Sequence, residues 1–338
     1  MAEKNVRVIF MGSDPIALPL LDYLYTEHGK GIDLYAIFTQ PDRPQGRGKL
    51  VLANAIKTWA QERKLAVCQP ERLDATHTQW LKDNAISLAC VMAYGQILKK
   101  DFLEALPLGA INWHGSILPK YRGASPIETA LLEGESQSGL SLIYMTPKMD
   151  AGPIIGTNSF SIGPLDSSES LRQKASHLAV DLTKSHLIDI LRAKSIPHPQ
   201  DPAQVSYTRK LKKEDAWLDF DQDAQRLERK IRALNPWPGC QCQHQETLLK
   251  IHAATALESD LSFQDPGTIV AITGDSIHLS TAKGILAISR LQRPGGKILA
   301  IKDFLNAYPL KLGEGLKGNP TQAFVSSEPF KLKPKEGL

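Results

Sequence analysis

The 338-residue chain is 42% hydrophobic and 22% charged, an ordinary globular balance at a length that suits two domains. Its net charge of +4 permits a polyanionic partner without requiring one, and its four cysteines are too few for a disulfide scaffold in a chain this long. With no signal segment, Arg-rich leader or apolar run of spanning length to be read, the expectation is a cytoplasmic protein with no membrane partner.

Val6 to Phe10 reads as a strand, followed by Met11-Gly-Ser-Asp-Pro15 and a helix to about Tyr25. This opening is Rossmann-like, but it lacks the GxGxxG fingerprint, which argues against a nicotinamide dehydrogenase. A second strand spans Leu34 to Thr39. Gln40-Pro-Asp-Arg-Pro-Gln-Gly-Arg-Gly-Lys49 then reads as an exposed, kinked basic loop, either a plain surface loop or a finger that meets phosphates. Helices are expected at Ala53–Lys64 and Asp74–Asp83, with a short strand at Ala66–Gln69. Ile86 to Tyr94 is nearly all apolar, as a central parallel strand buried on both faces must be. Gly95 turns the chain into a helix at Ile97–Ala105.

The next strand, Ala110 to Trp113, ends in Asn112-Trp-His114. Residues two apart on a strand share a face, so Asn112 and His114 project side by side. Taken alone, such a pair reads as hydrogen-bonded structure. A helix follows at Pro126–Glu133 with Ser125 as its N-cap, then a strand at Leu140–Met145, a turn at Met149-Asp-Ala-Gly-Pro153 and an extended stretch to Ile162. A long helix covers Ser167 to Arg192. This alternation implies a parallel sheet with helices on both faces, whose ligand crevice lies beyond the C-terminal strand ends. Tyr94, His114 and Asp150 each follow a strand and are expected together at that edge.

Lys194 to Pro202 has linker composition, and Arg209-Lys-Leu-Lys-Lys213 is a basic cluster. A helix at Asp223–Leu234 ends in Asn-Pro-Trp-Pro, and short strands to Leu291 suggest a small β-barrel. Cys240-Gln-Cys242 lacks a second ligand pair at zinc spacing and reads as incidental. The expected divisions are 1–193 for the sheet domain, 194–213 for the linker, 214–314 for the β domain and 315–338 for a flexible tail.

Asn112-Trp-His-Gly-Ser-Ile-Leu-Pro-Lys-Tyr-Arg-Gly-Ala-Ser-Pro-Ile127, Met149-Asp-Ala-Gly-Pro153 and Val91-Met-Ala-Tyr-Gly-Gln-Ile-Leu98 resemble the formyltransferase superfamily that uses 10-formyltetrahydrofolate. The loop at 40–49 and Ile231-Arg-Ala-Leu-Asn-Pro-Trp-Pro238 are similar to the branch that acts on methionyl-tRNA. The resemblance runs from about Val6 to about Leu312. It implies a Rossmann-like α/β domain followed by an OB-like barrel that binds tRNA. It also implies Asn112, His114 and Asp150 as the catalytic trio, and Ser116, Ile117, Leu118 and Pro119 with Tyr94 and Gly95 around the folate. Arg43, Arg47 and Lys49 would meet the acceptor end of initiator methionyl-tRNA, and Lys210 and Lys213 would touch tRNA from the linker.

Ile117 and Ser125 depart mildly from the usual Leu and Ala, Leu50–Ile56 lacks a Pro-rich continuation, and Gly239-Cys-Gln-Cys242 is unusual; none touches the trio. The expectation is therefore a monomeric formyltransferase with a folate co-substrate and no metal. Two rivals stand beside it: an enzyme formylating an amino-sugar nucleotide, and a non-catalytic RNA-binding protein on the same fold.

Overall fold

A computed structural model of the chain describes residues 5–45, 50–259 and 265–330. In chain order, strand β1 (Val6–Gly12) leads through a short 3-10 turn into helix α1 (Leu18–Thr26), then β2 (Ile32–Phe38) and the short β3 (Arg43–Gln45) and β4 (Leu50–Leu52). Helix α2 (Ala55–Glu62) follows, then β5 (Ala66–Cys68), α3 (Ala75–Asp83), β6 (Leu88–Met92), α4 (Lys100–Glu104) and β7 (Ala110–His114). Next come β8 (Arg122–Gly123), α5 (Pro126–Leu132), β9 (Gln137–Tyr144), β10 (Ile154–Ser161) and α6 (Ser168–Leu191). The later part holds β11 (Tyr207–Thr208), α7 (Ala224–Leu234), β12 (Cys240–His244), β13 (Thr247–Leu257), β14 (Ile269–Ile272), β15 (Ile277–Ser280), β16 (Ile285–Gln292), β17 (Leu299–Ala300), α8 (Ile301–Ala307) and β18 (Val325–Ser326).

Two compact units result. The first takes residues 1–123, 137–161 and 172–206, and the second takes 124–136, 162–171 and 207–338. In the first, among the described residues, a sheet runs in the order β10-β9-β7-β6-β1-β2-β5. Strands β5, β2, β1, β6 and β7 are parallel, and every residue of β6 is buried, as its apolar run requires. The expectation of a wholly parallel sheet needs correction at one edge. β9 pairs antiparallel with β7, and β10 antiparallel with β9. Residues 43–45 of the stretch read as a loop are instead extended: Arg43 pairs with Leu52 and Gln45 with Leu50. Asn54 and Asp74 cap α2 and α3 through their side chains. Ser125 holds the N-cap position of α5 as expected, but its side chain makes no capping bond; its hydroxyl accepts instead from the Leu211 N–H.

In the second unit the order is β12-β13-β16-β15-β14, all antiparallel, with β17 added on β16. Residues 313–317 close this sheet. On one side Lys317 and Gln243 of β12 exchange both backbone bonds. On the other, Ile269 donates to Glu314, and Leu316 donates to Gly267. Beyond them β18 pairs with β11, and Phe324 is buried. The expectation of a flexible tail from 315 is thus wrong for residues 315–330, where a Cβ on Gly318 would lie 2.0 Å from the Leu218 carbonyl oxygen; residues 331–338 lie outside the described residues. The stretch read as a linker is not a spacer either. His198 exchanges backbone bonds with Ile154, and Arg209 is buried in a two-pronged ion pair with Asp215 at 2.7 Å. Among the described residues no helix is long and apolar enough to cross a membrane.

Candidate active site

β7 places Asn112 and His114 on one face, held between Val91 of β6 and Ile143 and Ser141 of β9. His114 is buried. Its Nε2 donates to the Tyr121 carbonyl at 2.8 Å, so in the neutral ring the lone pair lies on Nδ1. That nitrogen stands 3.6 Å from Oδ2 of Asp150. At this separation the contact is electrostatic, not a hydrogen bond, and it is attractive when Nδ1 carries a proton. The side-chain amide of Asn112, half-buried, makes no hydrogen bond among the described residues.

Asp150 reaches His114 by a route other than the expected one. Tyr144 opposes Ile111, so β9 ends beside the start of β7, not beside its end. The connection 145–153 carries Asp150 back to the imidazole. Three features hold it there. Asp150 adopts a φ of 48°, a left-handed conformation that Asp tolerates. Its Oδ2 accepts from the Gly123 N–H at 2.8 Å. Gln200 donates through Nε2 to the carbonyls of Asp150 and Gly152, both at 2.8 Å, while its Oε1 accepts from Nε and Nη2 of Arg122. Gly152 is needed as well, since a Cβ there would lie 1.7 Å from the Tyr144 carbonyl oxygen.

The Ser116–Pro119 segment is shaped from below. The Ser116 N–H donates to the His114 carbonyl, and its hydroxyl donates to the Lys120 carbonyl at 2.6 Å. Ser141, fully buried, donates through Oγ to the Ser116 carbonyl and accepts from the Leu118 N–H. Ser116 is therefore spent on the loop, and Ile117, Leu118 and Pro119 follow from a backbone that Ser141 holds. Neither Ser141 nor Gln200 was legible as a site residue, because each acts through backbone groups remote in sequence.

Tyr94 offers the site its backbone. Its ring lies in the core with Phe38, Leu73 and Leu98, and its buried hydroxyl has no hydrogen-bond partner among the described residues. Burial first, and then the Cys68 thiol, push that phenol well above its ordinary range. The Tyr94 carbonyl accepts from Gln40 at 3.0 Å, and Gly95 takes a φ of 81° that lets the chain turn away. Beyond this edge lies an open apolar cleft of about 490 Å³, lined by Phe38, Pro70, His77 and Trp80 among others.

On the hairpin, Arg43 is exposed and pairs with Glu71 at 2.6 Å. Arg47 and Lys49 lie outside the described residues. In the second unit Lys210 and Lys213 are exposed, whereas Arg209 and Leu211 of the same basic cluster are buried. Among the described residues no three His, Cys, Asp or Glu side chains cluster as metal ligands.

A Rossmann-like sheet, a separate antiparallel sheet unit and a cluster of Asn112 and His114 from β7 with Asp150 from the 145–153 connection define a class. The chain belongs to the formyl transferase family: residues 4–186 match Formyl transferase, and residues 210–309 match Formyl transferase, C-terminal domain. It is similar to the methionyl-tRNA formyltransferase of Halorhodospira halophila, with 37% identity over 91% of this chain and 98% of that one. The methionyl-tRNA formyltransferase of Bdellovibrio bacteriovorus is 35% identical over 93% of this chain and 99% of its own.

Among solved structures, an N-formyltransferase from Helicobacter canadensis in complex with folinic acid and dTDP-3-aminofucose shares the fold. Its TM-score is 0.61 at 19% identity, over 84% of this chain and 99% of that one. HypX from Aquifex aeolicus in complex with tetrahydrofolic acid matches with a TM-score of 0.58 at 16% identity, over 92% of this chain. The present chain spans about half of HypX's length, 49%.

Proposed function

We propose that this chain transfers the formyl group of 10-formyltetrahydrofolate to the α-amino group of initiator methionyl-tRNA, acting as a cytoplasmic monomer. The observation that carries the chemistry is the His114 imidazole, fixed by the Tyr121 carbonyl with Nδ1 toward Asp150 and the unengaged Asn112 amide on the same strand face. Similarity along nearly the whole chain to methionyl-tRNA formyltransferases supports the acceptor.

The co-substrate supplies an electrophilic formyl carbon. The amine nitrogen bonds to that carbon, the bond from the carbon to N10 breaks, the amine loses a proton and N10 gains one. Asn112 donates to the oxygen on which negative charge develops, a contribution of about 3–4 kcal/mol in comparable acyl transfers. Nδ1 of His114 can take the proton that the amine loses and give one to N10. Asp150 orients the ring and attracts Nδ1 whenever it carries a proton. The Ser116–Pro119 backbone and the Tyr94–Gly95 turn form the folate side of the site, while Arg43, Lys210 and Lys213 contact tRNA phosphates.

The test is formyl transfer to initiator methionyl-tRNA, elongator methionyl-tRNA and an amino-sugar nucleotide in parallel. Initiator tRNA should be the preferred acceptor, and preference for the sugar would overturn the reading. Asn112→Ala should lower kcat roughly 10²–10³-fold with the fold intact; near-normal turnover would remove Asn112 from the mechanism.

A further inference from the structure

The hairpin that carries Arg43 stands out from the first unit. The Arg43 side chain is 57% exposed, and on β4 the apolar Val51 and Leu52 are exposed. Exposed side chains of this kind lose rotamer freedom on meeting a partner. Its root, however, is clamped by residues of four other elements.

The Gln40 N–H donates to the Ser13 hydroxyl after β1, and Gln40 Nε2 donates to the Tyr94 carbonyl after β6. The Gln40 carbonyl accepts from Asn54, the cap of α2, and from Gln69 after β5. Asp42 is the last residue before Arg43, and both its oxygens are taken. Oδ1 accepts from Gln69 at 2.8 Å, and Oδ2 accepts from Lys57 of α2 at 2.5 Å. These two bonds, Lys57 first, hold the Asp42 carboxyl below its ordinary range.

A bare carboxylate next to an arginine that meets phosphate would work against it. Here its charge is answered by Lys57, and its direction is fixed by two elements outside the hairpin. Arg43 itself bonds elsewhere, to Glu71, so Asp42 does not act by pairing with it.

We infer that Asp42, gripped by Lys57 and Gln69, is a positioning residue that aims the hairpin, and with it Arg43, at the tRNA acceptor end without taking part in chemistry. Gln40 ties the same root to the Tyr94 turn, so the tRNA-facing hairpin and the folate-facing turn share one anchor. The inference rests on the proposed tRNA reading of Arg43.

The experiment is a double-mutant cycle on the full chain, with Asp42→Asn, Arg43→Ala and the pair assayed with methionyl-tRNA and 10-formyltetrahydrofolate. Each single variant should raise the KM for tRNA, Asp42→Asn by roughly tenfold. Both should leave kcat and the KM for the folate within about twofold, and the double variant should match Arg43→Ala alone. Lys57→Met should reproduce Asp42→Asn, while Lys57→Arg, which keeps the cation, should restore tRNA use.

Additive effects in the double variant, a fall in kcat or an unchanged tRNA KM in Asp42→Asn would overturn the inference while the tRNA reading of Arg43 stands. An unchanged tRNA KM in Arg43→Ala would overturn both.

Discussion

The two units finish their sheets in opposite ways. In the first, β1, β2, β6 and β7 are buried apolar strands linked to their neighbours through nearby helices, and the later chain adds only the His198 bridge to the first residue of β10 among the described residues. In the second, residues 313–317 bond to both β12 and the start of β14, some seventy positions beyond β12. Residues 321–323, a few positions further on, supply bonds to two buried cations. Arg209 donates to the Gln322 and Ala323 carbonyls, and Lys230 donates to the Thr321 hydroxyl. A unit completed from far along the chain folds only after its last part is made, and its integrity depends on a stretch that looks dispensable.

Deleting residues 313–338 is the most damaging change expected from this contrast. It uncovers both sheet edges and orphans donors on Arg209 and Lys230, each at roughly 1–3 kcal/mol. The cysteines report on each unit separately. Burial pushes the thiols of Cys90 in β6 and of Cys240 and Cys242 in β12 up to about 12. Since the thiolate is the nucleophile, all three should resist a thiol reagent at pH 8 in the intact chain. In the truncated chain Cys240 and Cys242 should react quickly while Cys90 stays protected. Faster reaction of Cys90 would reverse the comparison.

Arg209→Met is the next step down. It leaves the buried Asp215 carboxylate without its two-pronged partner, a loss of about 3–5 kcal/mol for a buried pair broken on one side. Urea unfolding should show it as an earlier transition at Cys240 and Cys242, with Cys90 unmoved. Equal exposure of the three thiols would mean that the two units unfold as one.

Much of the first unit was legible because its code is local. Apolar runs marked the parallel strands, and spacing alone put Asn112 and His114 on one face. Asp150 was rightly grouped with them, but for the wrong reason: β9 runs antiparallel, and the 145–153 connection, not the strand end, brings the carboxylate to the ring. Gln200 was invisible because it sits in a Pro-rich stretch and works on backbone carbonyls fifty positions away. The barrel closure was missed for a related reason. Gly313-Glu-Gly-Leu-Lys-Gly318 has no alternation, and it is a closing segment by virtue of its neighbours' unpaired edges, not its own residues.

The smallest expected effect tests whether the first unit's site is as self-contained as its sheet. Ser141 is buried in β9, within a run that otherwise reads as pure core, and its hydroxyl bridges the Ser116 carbonyl and the Leu118 N–H. Ser141→Ala removes both bonds and leaves two buried backbone groups unsatisfied, at about 1–3 kcal/mol. The damage should stay local, because β7 and β9 remain paired through backbone. Thiol reactivity should be unchanged in both units, while the Ser116–Pro119 segment loosens and the KM for 10-formyltetrahydrofolate rises several-fold with the tRNA KM steady. If Ser141→Ala instead raised the tRNA KM and spared the folate, the 116–119 segment would belong to the acceptor side, and the division of the site between its two substrates would have to be redrawn around His114.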